Sequence, residues 1–90
     1  MARLEMSGHE TQEYAAQGGQ ADAWFELGLS ACSGRSGSVD LVEAHKWFNL
    51  AAMRGNEEAK RYRLDISNDM TKLEIAAAQK AARAWLATKH

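Results

Sequence analysis

One short phrase occurs twice in this chain. Residues 14–24, YAAQGGQADAW, return as residues 50–60, LAAMRGNEEAK. Ala15, Ala16, Gly19 and Ala23 thus reappear 36 positions on, as Ala51, Ala52, Gly55 and Ala59. A constant offset of this size marks a supersecondary unit that cannot bury its apolar side alone and stacks on its neighbours. No composition figure narrows the fold as far.

Helix start and stop signals divide the chain at that spacing. Ser7 and Glu10 have the separation of a capping box, in which hydroxyl and carboxylate each satisfy a free backbone N–H. Residues 1–9 are expected to be an arm that need not be ordered, with a half-helix over 10–18 ending at Gly18-Gly19. A helix from about Ala21 to Ser33 follows and gives way to the glycine-serine loop GRSGS. Asp40 with Glu43 caps the next helix, which Gly55 stops, and Asn56 caps a helix over 57–67. Thr71 with Glu74 opens the last helix, over 71–89, with Met70 and Ile75 spaced as a hydrophobic staple. No proline interrupts any of these segments, and none shows strand alternation.

At 100° per residue, Ala23, Trp24, Phe25, Leu27, Gly28, Leu29, Ala31 and Cys32 cover about two-thirds of the second helix. So wide an arc predicts packing on two sides. Asp22, Glu26, Ser30 and Ser33 remain as a narrow polar strip. In the last helix the same count places Leu73, Ile75, Ala77, Ala78, Ala81, Ala82, Trp85 and Leu86 on a core-facing arc. Lys72, Gln79, Lys80 and Arg83 lie on the water side. That is the construction of a cap closing a stack.

Trp24-x-x-Leu27-Gly28-x-x-Ala31 followed by Ala44-x-x-x-Phe48 resembles the tetratricopeptide pattern, with alanine in place of its tyrosine. The longer loop, the 36-residue period and AHKWFNLAAMRGNEEA are closer to the Sel-1-like repeat, a relative of that family. Ala23, Leu27, Gly28, Gly34, Asp40, Ala44, Trp47, Phe48, Ala51, Ala52 and Gly55 fill its pattern. Ala31 stands at its tyrosine position, and Ser36-Gly37 where Gly-Val is usual. The tail DMTKLEIAAAQKAARAW resembles the terminal helix of short bacterial Sel-1-like proteins. The resemblance implies an all-α fold, a right-handed α/α superhelix with one full repeat over 21–55 in a single domain spanning 10–90. The register fails after Ala59, since Lys60, Arg63 and Leu64 stand where Trp24, Leu27 and Gly28 would recur. The helix over 57–67 is therefore degenerate and the helix over 71–89 caps it.

Several chemistries find no support in the residue pattern. Cys32 lies mid-arc on an apolar face, where a lone cysteine behaves as a small core residue. His9, His45 and His90 form no i, i+4 pair and no cluster with cysteine, so no metal or cofactor site is expected. His45 shares a stripe with Leu41 and Phe48 and reads as structural. GRSGS lacks the lysine of a phosphate loop. Asp40 and Glu43 read as caps, not as a catalytic pair. Trp24 reads as core. No convergent polar set suggests an enzyme.

One cysteine and an opening MARLEMSGHE without an apolar run favour a cytoplasmic location, and no segment approaches the ~18 apolar residues of a membrane span. Charge is split: residues 1–59 hold nine acids and four bases, residues 60–90 seven bases and three acids. Such asymmetry can steer a partner or a second copy of the chain, so a homodimer is a further expectation. In proteins of the resembling family the first helix of each hairpin lines a concave surface that holds peptides or protein segments. That surface here is the strip Asp22, Glu26, Ser30 and Ser33, an acidic one suited to a basic segment. The leading expectation is a non-enzymatic adaptor binding a protein or peptide, with no membrane contact. The rival is weak nucleic-acid contact through Lys60–Arg63, Lys72, Lys80, Arg83 and Lys89, set against a domain that is not basic overall.

Overall fold

The computed structural model describes residues 19–35 and 37–88. These are all-α: α1 (Gln20–Ser33), α2 (Leu41–Met53), α3 (Glu57–Ser67) and α4 (Lys72–Thr88), with no strand among the described residues. The Ser7–Glu10 box and the helix expected over 10–18 lie outside them.

The helix ends follow the local chemistry. The Asp40 carboxylate accepts from Glu43 N at 3.0 Å, and Asn56 Oδ1 accepts from Ala59 N at 2.8 Å. Each satisfies a backbone donor that the first helical turn leaves open. At α4 the box closes reciprocally: Thr71 N donates to Glu74 Oε1 at 2.8 Å and Glu74 N to Thr71 Oγ1 at 3.1 Å. At α2 it closes only on one side. Asp40 N donates instead to Ala31 O at 2.9 Å, tying the loop end back to α1. Gly34 ends α1 in the left-handed region, at φ 76°, where a side chain would strain the backbone.

α2 is the hub, packed against α1, α3 and α4. Phe48, Leu50, Ala44 and Ala51 on it are fully buried. Its crossing with α1 is set by a missing side chain: a Cβ on Gly28 would stand 2.5 Å from Phe48 Cδ1 and Cε1. Two aromatic groupings radiate from α2. Trp47 meets Trp24 at 6.4 Å and Trp85 of α4 at 5.0 Å between ring centroids. Phe48 meets Phe25 at 5.7 Å and Tyr62 of α3 at 5.5 Å, with Phe25 and Tyr62 themselves edge to face at 5.3 Å.

Two expected arcs are narrower than the helical count implies. Ala23 is exposed and Leu27 is 46% exposed, so α1 packs through Ala21, Trp24, Gly28 and Ala31 and, less deeply, Phe25, Leu29 and Cys32. On α4, Ala78 and Ala82 are buried with Trp85 and Leu86 packed beside the core, whereas Ala77 is exposed and Leu73 is 84% exposed. Leu73 sits in the first turn of α4, at the end remote from Trp85, whose ring meets Trp47.

Candidate functional surface

The strip on α1 is a surface feature. Asp22, Glu26 and Ser33 are exposed and Ser30 is half-buried. The four are not equivalent. Asp22 Oδ1 accepts from Asn56 Nδ2 at 3.0 Å, so this carboxylate joins the start of α1 to the residue capping α3. Ser33 Oγ donates to Ser30 O at 3.3 Å, within its own helix. Glu26, exposed in the middle of α1, makes no hydrogen bond or ion pair with the described residues. Among the strip's side chains it is the charge left open to an incoming group.

The repeat positions mostly lie inside. Trp24, Gly28, Ala44, Trp47, Phe48 and Ala51 are buried, Ala52 is half-buried and packed on the core, and Ala23 and Leu27 remain outside. Gly34, Asp40 and Gly55 act at the helix ends, Gly55 with φ 101°. Trp24 therefore offers little surface to a partner.

Three polar contacts go beyond the sequence reading. Trp47 Nε1 donates to Glu43 Oε2 at 2.9 Å, and Lys46 Nζ pairs with the same oxygen at 2.9 Å. Lys46 also sits over the Trp47 ring, 4.2 Å from its centroid, with Trp85 at 5.6 Å. The ammonium thus faces aromatic surface while its charge stays paired with Glu43. The i, i+4 spacing of Glu43 and Trp47 could have signalled this; the position of Trp85 could not. Arg63 Nη1 donates to Asn49 Oδ1 at 2.6 Å, pinning α3 to α2.

His45 is 3% exposed, and its Nδ1 has no hydrogen-bond partner among the described residues. Burial, reinforced by the Arg63 charge, pushes the imidazole below its ordinary pKa, against a backbone hydrogen bond that raises it. Cys32 is half-buried and its Sγ donates to Leu29 O at 3.6 Å. Burial pushes the thiol up, outweighing a backbone hydrogen bond and Arg35, which is the opposite of an activated nucleophile.

Lys60, Arg61, Lys72, Lys80 and Arg83 are exposed on α3 and α4, but Glu57, Glu58, Asp65 and Glu74 are exposed on the same helices. The described residues form no enclosed pocket and bring no three metal-ligating side chains together. Among them, no helix is long and apolar enough to cross a membrane. No protein-family model, curated protein or solved structure matches the chain.

Proposed function

We propose that this chain is a small helical-hairpin adaptor of the Sel-1-like kind, non-enzymatic, which holds a basic peptide or protein segment on the outer face of α1. Glu26 carries the reading. It is an exposed carboxylate without a partner among the described residues, between Asp22 and the Ser30–Ser33 pair on one side of a helix anchored by Trp24 and Gly28. A lysine or arginine of the partner would meet Glu26 in water, where a single pair contributes only about 0–1 kcal/mol. The remaining affinity comes from the hydroxyls and from shape. Binding of this kind is modest, salt-sensitive and dependent on several contacts.

The test is capture with the full chain and with Glu26→Lys. The wild type should retain basic partners that the variant loses, with melting temperatures within a few degrees of each other. Equal capture by both removes Glu26 from the site. A mobility shift with nucleic acid, falling steeply with salt, replaces the adaptor reading with its rival.

A further inference from the structure

Two helices of this chain carry opposite charge on open, partly apolar sides. α1 holds the acids Asp22 and Glu26 and no base, whereas α4 holds Lys72, Lys80 and Arg83 against the single acid Glu74. On α1 the open side centres on Ala23, with Glu26 and Leu27 three and four residues on, all exposed. On α4 it runs through Leu73, Ala77, Lys80 and Ala84, also all exposed, spaced four, three and four so that they share one side.

The charges on these sides are unengaged. Glu26, Lys80 and Arg83 make no hydrogen bond or ion pair with the described residues. Glu74 is already held in its cap by Thr71. One molecule does not bring the two sides together, because each helix turns its other side to α2. α1 does so through Trp24 and Gly28, α4 through Trp85.

We infer that the basic segment held on α1 is α4 of a second copy of this chain, with Glu26 against Lys80 and Leu27 among the alanines. The inference rests on the adaptor reading, whose partner it names. α3 fits the α1 face less well: its Lys60 and Arg61 share the helix with Glu57, Glu58 and Asp65, and its Arg63 is bonded to Asn49. Alanines on both sides allow close approach of the two helices, and the two leucines supply apolar area to bury. One helix on one helix buries less than the roughly 1,200–2,000 Å² of a standard interface, so the dissociation constant should be on the order of 0.1–1 mM. It should rise severalfold between about 0.05 and 0.5 M salt, because exposed charges are screened.

Sedimentation equilibrium of the full chain, from about 10 μM to about 1 mM, tests it. The wild-type mass should rise with concentration in low salt and less so in high salt. Glu26→Lys and Lys80→Glu should each weaken association on the order of tenfold or more, since each sets like charges against one another. Both positions are exposed, and melting temperatures check that both variants fold. An equimolar mixture of the two variants should associate again, because each supplies the side that the other lacks. A mixture no more associated than its components overturns the inference, as does association that neither substitution weakens. A wild type that stays monomeric in low salt also overturns it. If Glu26 still governs capture of other basic partners in that case, the adaptor reading stands without it. If Glu26→Lys alters neither capture nor mass, both fall.

Discussion

Gly28 and Phe48 meet so closely that a methyl group on the glycine would stand 2.5 Å from the phenyl ring. The ring is fully buried and packs against both Phe25 and Tyr62. Gly28→Ala improves helix propensity by about 1 kcal/mol. Overpacking of a filled core costs about 1–3 kcal/mol and is expected to win here. The variant should melt below the wild type, and Gly28→Ala with Phe48→Leu should recover part of the loss. A rise in melting temperature for Gly28→Ala alone would show that the two helices separate freely.

The buried imidazole of His45 predicts a stability that depends on pH. The native state holds its pKa below the ordinary value of 6.5, so the unfolded chain binds the proton more readily. Stability is therefore complete above about pH 7.5, falls as pH drops through 6.5, and levels below the native pKa. His45→Leu also removes an Nδ1 that has no partner among the described residues, and it should flatten the profile between about pH 5 and 7.5 with little loss at neutral pH. Urea midpoints across that range decide it. An unchanged slope in the variant would remove His45 as the source of the effect.

Glu43 serves two neighbours with one oxygen, Trp47 Nε1 and Lys46 Nζ. Glu43→Ala leaves a part-buried indole N–H without its acceptor, at a cost of about 1 kcal/mol. Glu43→Gln keeps an acceptor for the indole and should lose less. Melting temperature together with tryptophan fluorescence separates the two. Equal melting of both variants and the wild type would mean that water replaces the carboxylate at no cost.

The last helix should be indispensable for its second half and indifferent in its first turn. Ala82 and Trp85 close on the core around α2 and Ala78 is buried, whereas Leu73 stands in solvent. Truncation after Ser67 should abolish cooperative melting. Leu73→Lys and Lys80→Ala should each stay within about 0.5 kcal/mol of the wild type. A truncated chain that still melts near the full-length temperature would make α4 an appendage.

What could be read from the sequence here was local. Asp40, Asn56 and Thr71 announce their helices because a cap involves residues two or three apart, and the structure makes each of those bonds. Trp24, Ala44, Phe48 and Ala51 are legible because helical angle decides which side a residue takes. Angle does not say whether anything lies on that side, which is why Ala23, Leu27 and Leu73 were expected inside and stand outside. The capping box at Asp40 closes halfway for a related reason. Glu43 is drawn to Trp47 and Lys46 rather than back to its cap. The Asp22–Asn56 bond joins residues 34 apart, and only the repeat offset hints that these two helix starts are neighbours. On the candidate surface, charge and exposure were legible, but not which carboxylate is already engaged.

The central place of α2 has a consequence for how this chain comes apart. In a long solenoid each unit touches only its neighbours, so ends can fray while the middle persists. Here α1, α3 and α4 all rest on the same thirteen-residue helix, Leu41–Met53. None of the three can keep its packing once that helix melts. Opening of α2 is then equivalent to global unfolding, and its amides should be the slowest in the molecule to exchange, at a rate set by the whole free energy of the fold.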